Sequence, residues 1–131
     1  MEKTIIEKET EAGSSDRIKT ISLLYDGALN FLKIAKKKLE QGDSYGKDQY
    51  IKKTTAIIRE LAGSLNMDAG EIAQNLRRLY DFVLNSLVKA EKQNDLKAIE
   101  DAEKVIVILR DAWKEMRQAS AGREKIQDGR L

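Results

Sequence analysis

Apolar residues recur at intervals of three and four in four long runs, and short polar segments separate the runs. This spacing places apolar side chains on one face of an α-helix and polar side chains on the other. We therefore predict four amphipathic helices, over residues 17–40, 47–65, 69–93 and 95–118. The apolar face of the third helix is expected to carry Ile72, Leu76, Leu79, Tyr80, Val83, Leu87 and Ala90.

Turn and cap residues separate the predicted helices. The segment QGDSYG at 41–46 contains two glycines and should end the first helix, and residues 94–95 should form the turn before the fourth. Asp16 is a suitable N-cap for the first helix, and Asp68 with Glu71 three residues later is a variant of the capping box for the third. Because the links are short, neighbouring helices should be antiparallel. The fold class predicted is all-α, an up-down-up-down four-helix bundle.

The two ends of the chain differ from its middle. Residues 1–15 are polar apart from Ile5, Ile6 and one alanine, and we predict a loose N-terminal arm. Residues 119–131 are polar with two glycines, and we predict a frayed C-terminal tail. The predicted bundle domain is therefore 16–118.

A weak internal repeat links the first and third helices. Leu24–Leu32 reads LYDGALNFL and Leu79–Leu87 reads LYDFVLNSL, so six of nine positions match at an offset of 55. Two amphipathic helices built from similar residues would explain the match. A duplicated helical hairpin would explain it too, and would favour the antiparallel bundle.

Composition excludes several kinds of chemistry. The chain has no Cys and no His, which excludes disulfides, thiolate ligands and His-based metal sites or catalysis. We predict no cofactor and no metal site, and expect Asp26 and Asp81, each after a repeat Tyr, to be structural rather than acid or base groups. A net charge of +2 gives no nucleic-acid footprint, and no apolar run or leader pattern indicates membrane insertion or export. We expect a soluble cytoplasmic protein.

Several helices carry more apolar residues than one buried stripe requires. In the fourth helix, for example, five apolar residues follow one another at 105–109, so Ile108 must point away from Ile106. Lys and Glu stems could cover any one of these residues, but as a set they predict a partner surface for an amphipathic helix. The candidate residues are Leu23, Gly27, Ile34, Phe82, Leu84, Val88, Val105, Ile108 and Ala112.

Four motifs in order resemble the FliS family of flagellar export chaperones. They are LLYDGA at 23–28, IIREL at 57–61, GEIAQNL at 70–76 followed by LYDF at 79–82, and LRDAW at 109–113. The resemblance covers about residues 16–118. It implies an antiparallel helical bundle without enzymatic activity that binds the C-terminal segment of flagellin in the cytoplasm. In the family, the client lies in apolar grooves, which keeps flagellin from polymerising early and aids its delivery to the flagellar export gate.

The chain departs from the family at two places. The family's Ser-Pro pair at the start of the first long helix is replaced by Asp16-Arg17. The family's N-terminal arm bears tyrosines and can fold back over the client groove, whereas this arm has none. Ile5 and Ile6 are therefore the candidate residues for self-plugging.

Other classes of function remain open from the residues alone. A self-associating helical structural or adaptor module would use the same apolar stripes and form a concentration-dependent dimer. The chaperone interpretation expects a monomer or weak dimer when free. An enzyme with carboxylate chemistry would need a divalent metal, and the composition favours it least.

Overall fold

The computed structural model describes residues 14–129, and within this range every long regular element is an α-helix. The helices are α1 (Ser14–Glu40), α2 (Ser44–Gly63), α3 (Glu71–Gln93) and α4 (Leu96–Gly129). A short 3₁₀ turn, Met67–Ala69, lies between α2 and α3. Each helix packs against two neighbours, in the order α1–α2–α3–α4 and back to α1. The predicted four-helix bundle is confirmed.

The first two helices differ slightly from the predicted ranges. The first begins three residues earlier than predicted, and the second begins three residues earlier and ends two residues earlier. Because α1 begins at Ser14, Asp16 lies inside its first turn and is not the N-cap. The link to α2 is only 41–43, where Gly42 adopts a φ of +77° that favours glycine. Asp43 caps α2 by accepting a hydrogen bond from the Gly46 amide at 2.8 Å. A Cβ on Gly46 would collide with that carboxylate, so this glycine makes room for the cap and does not break the helix.

The predicted capping box before α3 is wrong. The N-cap of α3 is Gly70, whose φ of +79° suits glycine, and no side chain caps the helix there. Asn66 instead accepts a hydrogen bond from the Asp68 amide at 3.0 Å and so initiates the 3₁₀ turn. Asp68 is part of that turn, which separates it from the start of α3.

The turn between α3 and α4 was predicted correctly, but the end of α4 was not. Asn94 adopts the left-handed conformation that ends α3, and Asp95 accepts a hydrogen bond from the Ala98 amide at 3.3 Å. The sequence placed the end of the fourth helix near Gln118, whereas α4 extends to Gly129. No proline interrupts this segment, so the backbone hydrogen bonds can continue. The domain boundaries at 15 and 118 stay predictions.

The core is built from the predicted apolar faces of all four helices. Its fully buried large side chains include Leu32, Ile51, Ile58, Leu87, Ile99 and Ile106. Ile72 was expected in this core but is 71% exposed, because it lies in the first turn of α3 at the end of the bundle. There it borders a hollow of about 250 Å³ that is also lined by Arg17 and Trp113.

The two copies of the internal repeat meet at the centre of the bundle. Tyr25 of α1 and Tyr80 of α3, which occupy equivalent positions in the repeat, share a hydrogen bond of 2.6 Å between their hydroxyls. The indole Nε1–H of Trp113 donates to the Tyr25 hydroxyl at 3.2 Å. Burial raises the pKa of both phenols, and for Tyr25 the adjacent Tyr80 raises it further. This contact between equivalent repeat positions is consistent with a duplicated hairpin.

A buried lysine joins the start of α2 to the end of α3. Lys47 has no exposed side-chain surface, and its ammonium donates to the carbonyls of Ala90 at 2.8 Å and Glu91 at 3.0 Å. It also pairs with Asp48 at 2.6 Å. These carbonyls belong to the last turn of α3, where a cation is favoured by the helix dipole.

Candidate functional site

Most of the predicted surplus residues lie at the surface. Ile108 is 64% exposed, Leu23 60%, and Phe82 and Val88 46% each. Ala112 is exposed as well, and Gly27, Ile34, Leu84 and Val105 are half-buried. None of the nine candidates is fully enclosed in the bundle, so an apolar surface remains available. Their role in binding stays a prediction.

The structure divides the candidates among three faces. A Cβ on Gly27 would lie 3.7 Å from Ile57 of α2, so Leu23, Gly27 and Ile34 belong to the α1–α2 side. Leu84 and Val88 share the flank of α3 that carries Glu91, which pairs with Lys52 of α2. The third face, between α3 and α4, holds Phe82, Val105, Ile108 and Ala112.

The α3–α4 face contains an open apolar dimple of about 520 Å³. Leu79 and Phe82 form its wall on α3, and Val105 forms its wall on α4. Asn75 and Arg78 stand at its edge. Ile108 and Ala112 continue the exposed apolar stripe along α4, three and seven residues beyond Val105. Its lining is apolar apart from Asn75 and Arg78.

A second hollow extends the dimple toward the α3–α4 turn. It has a volume of about 480 Å³ and shares Phe82 with the dimple. Ser86 and Ala98 are small residues among its lining. Its rim carries charges of both signs, from Lys89, Lys97, Asp95 and Asp101. Together the two hollows make one groove, which we call the α3–α4 groove, with an apolar half and a charged half.

The equivalent face between α1 and α2 is filled by the protein's own side chains. The rings of Phe31 and Tyr50 pack with their centroids 6.0 Å apart. The ammonium of Lys53 lies over both, 5.6 Å from the Phe31 centroid and 5.4 Å from that of Tyr50. The part of this face around Phe31 is therefore filled by aromatic rings beneath a charge, while Leu23 stays exposed on the same side.

Leu79 is a groove residue that the sequence analysis missed. It was placed on the core face of α3, but it is 37% exposed and lines the dimple with Phe82. The spacing of three residues between Leu79 and Phe82 was a usable signal, since it puts both on the same flank of the helix. Because Leu79 adjoins the buried Tyr80, both residues were assigned to the core face.

Both repeat aspartates are in ion pairs. Asp26 lies 3.6 Å from Arg110 and ties α1 to α4, while Asp81 lies 3.5 Å from Arg77 one turn earlier in α3. Lys36 adds a second tie between α1 and α4 through Glu103 at 3.4 Å. These contacts support the structural interpretation of the two aspartates.

The described residues contain neither a membrane-spanning helix nor a metal-binding cluster of side chains. Between Ser14 and Gly129, no helix combines the length and the apolar character that crossing a membrane would require. In the same part of the chain, no three or more Asp and Glu side chains are grouped so as to hold a metal ion.

The chain matches one protein family over most of its length. The family model described as flagellar protein FliS matches residues 3–120. Among individual proteins, the flagellar secretion chaperone FliS of Salmonella typhimurium is 36% identical over 110 residues, which is 82% of each chain. The protein of the same name from Bacillus subtilis is 32% identical over 97 residues, or 74% of this chain and 72% of the relative. The Campylobacter jejuni protein is 32% identical over 109 residues, or 82% and 85%.

Proposed function

Because the chain belongs to the FliS family of flagellar proteins, we propose that it is a cytoplasmic export chaperone that holds the C-terminal segment of flagellin in the α3–α4 groove. The similar proteins are named flagellar secretion chaperones, a class without enzymatic activity. Holding this segment would keep flagellin from polymerising before export and present it to the export gate.

The observation that carries this proposal is the exposed apolar surface of the groove. Phe82 and Ile108 each leave about half or more of their surface in water, next to Leu79 and Val105. Fully burying a side chain of this kind contributes roughly 1.5–3 kcal/mol. Exposed apolar residues that adjoin one another in this way usually mark a site that a partner covers.

An amphipathic helix is the client structure that best fits a groove between two helices. A flagellin segment without a core of its own could not bury its apolar face, and short isolated helices are marginal in water. Binding would therefore order the segment, at a cost of roughly 2–5 kcal/mol or more. Burial of several groove side chains together is enough to offset that cost.

Two matched pairs of substitutions test which face binds. Phe82→Asp and Val88→Asp change equally exposed residues on opposite flanks of α3. Ile108→Asp on α4 and Leu23→Asp on α1 form the second pair, since these two residues are also similarly exposed. We expect Phe82→Asp and Ile108→Asp to abolish a one-to-one complex with co-expressed flagellin in size-exclusion chromatography. Val88→Asp and Leu23→Asp should retain it, and all four should melt within a few degrees of the wild type.

The control outcomes separate the alternatives. If only Val88→Asp or only Leu23→Asp lost binding, the client site would have to be assigned to the face that carries that residue. A wild-type chain that forms no complex with flagellin, but dimerises with rising concentration in light scattering, would favour the self-associating module.

The self-plugging prediction extends the proposal to Ile5 and Ile6, which lie outside the described residues. The chain enters α1 at the end of the bundle where α3 also begins, since Arg17 and Ile72 line the same hollow. If Ile5 and Ile6 occupy the empty groove, deleting residues 1–15 should tighten flagellin binding in titration calorimetry. Unchanged affinity would exclude the plug.

A further inference from the structure

We infer that the dimple between Leu79, Phe82 and Val105 is an anchor pocket, which takes one large apolar side chain of the client helix while Arg78 pairs with a carboxylate one turn away. This inference rests on the proposed function and adds to it the chemistry by which the groove selects its helix. The partner is thus an amphipathic helix with an apolar anchor and an acidic neighbour.

The comparison between the two copies of the repeat supports the apolar anchor. The repeat places Ser86 of α3 where α1 has Phe31, and Phe82 where α1 has Gly27. On α1–α2 the rings of Phe31 and Tyr50 occupy the space between the helices. Ala98, Asp101 and Val105 of α4 line the two hollows beside α3, and none of the residues that α4 contributes to this lining is aromatic. The α3–α4 groove therefore lacks the aromatic side chains that fill the space between α1 and α2.

The charge at the dimple supports the acidic neighbour. Arg78 is the one charged residue among the five that line the dimple. Its guanidinium donates to the neutral amide oxygen of Asn75 at 3.1 Å, and among the side chains that the structure describes no carboxylate lies within 4.0 Å of it. The adjacent Arg77, in contrast, is already paired with Asp81. Arg78 thus holds a positive charge at the groove that a partner can neutralise.

The spacing along α3 sets the spacing expected in the client. Asn75, Arg78, Leu79 and Phe82 span two helical turns, which is roughly 10 Å at 1.5 Å per residue. A client helix that follows this stretch presents side chains on one face at intervals of three and four residues. An apolar anchor and a carboxylate separated by such an interval reach the dimple and Arg78 together.

The test uses the full chain and a fluorescently labelled C-terminal segment of flagellin from the same cell, with binding followed by anisotropy. We expect Arg78→Gln to weaken binding roughly two- to fivefold, as for a partly exposed ion pair. Arg77→Gln, the matched control on the neighbouring residue, should change the affinity less than twofold. The difference between wild type and Arg78→Gln should disappear in 0.5 M NaCl, because salt screens an exposed ion pair.

Val105→Tyr tests the pocket itself by placing a ring in the dimple. We expect binding to weaken by roughly tenfold or more, since an anchor side chain is excluded from a central pocket. Thermal unfolding should show that the variant folds. If it does not fold, the two arginine variants still decide, because both residues are exposed.

The outcomes separate the two proposals. If wild type does not bind the segment, the proposed function fails and this inference fails with it. If wild type binds and Phe82→Asp does not, the proposed function stands. Equal affinities of Arg78→Gln and Arg77→Gln, or full binding by folded Val105→Tyr, would then overturn the anchor pocket alone.

Discussion

The two hairpins of the bundle, α1–α2 and α3–α4, share an inner surface and differ on their outer one. Inside, each contributes a tyrosine from the same LYD motif, and the two hydroxyls meet at 2.6 Å. Outside, Phe31, Tyr50 and Lys53 close the first hairpin, while the second leaves Phe82 and its neighbours exposed. The comparison teaches that core packing constrains which residues can stand on the inner faces of the two repeat copies. A binding site is therefore best sought on the outer faces, where the sequences of the two copies differ.

Alkaline pH should break the contact that the hairpins share, with the largest effect on stability. The raised pKa values of Tyr25 and Tyr80 mean that the folded state favours neutral phenols. The two phenols therefore make their full contribution to the free energy of unfolding below pH 10. Above pH 10 that free energy falls by up to about 1.4 kcal/mol per pH unit for each phenol. Urea unfolding between pH 8 and 12 should show this loss, and the exposed Tyr45 provides a control in Tyr45→Phe. A stability that stays flat to pH 12 would contradict it.

The start of the second helix in each hairpin offers the next test. Lys47 and Ile99 each lie three residues into their helix and are fully buried, but one is charged and the other apolar. Lys47→Met should lower the free energy of unfolding by about 2–4 kcal/mol, since it leaves two α3 carbonyls without their charged donor. Lys52→Met, at an exposed neighbour, should change it by less than about 0.5 kcal/mol. A similarly small loss for Lys47→Met would mean that water replaces the ammonium.

The two central tyrosines are equivalent in sequence but differ in their contact with Trp113, whose indole N–H donates to the Tyr25 hydroxyl at 3.2 Å. Tyr25→Phe removes the partner of both Tyr80 and Trp113 and should cost about 1–3 kcal/mol. Tyr80→Phe leaves the Trp113 bond intact and should cost less, about 0.5–1.5 kcal/mol. Guanidinium unfolding of both variants measures the difference, and equal costs would show that the indole bond is unimportant.

The two outer phenylalanines should give the smallest difference in stability. Phe31 packs on Tyr50 and is half-buried, so Phe31→Ala should cost about 1–2 kcal/mol, less than in a full core position. Phe82 is 46% exposed, and Phe82→Ala should cost less than about 1 kcal/mol. The ranking should invert for flagellin binding, where Phe82→Ala weakens the complex and Phe31→Ala does not. Thermal melting and titration calorimetry on the same samples check both parts.

The number of helices, their order and most of the core could be predicted from the sequence. Residues such as Ile58, Val83 and Ile106 recur at helical spacing because each helix must bury one stripe, and they are buried as expected. The helix ends were harder, since several residues near each end could act as caps. Asp68 and Glu71 have the spacing of a capping box, but the intervening 3₁₀ turn gives Gly70 that position.

The candidate surface could be predicted only in part. Periodicity shows that Phe82 and Val88 lie outside the core stripe, but it does not say which helix stands beside each flank. That information depends on the packing order of the bundle, which separates these two residues onto opposite sides of α3. Leu79 was missed for a related reason, because whether an edge residue is covered depends on the size of its neighbour on α4. Val105 is too small to cover it.

The Tyr25–Trp113 contact also gives the protein an optical probe of its own. The chain has a single tryptophan, so its emission arises from one place, where α1 and α4 meet beside the tyrosine pair. A guest helix that leaves the bundle intact will not alter the emission wavelength. A guest helix that loosens α4 will expose the indole to water and shift its emission to longer wavelength. A fluorescence spectrum can therefore distinguish docking on a rigid bundle from rearrangement of the bundle.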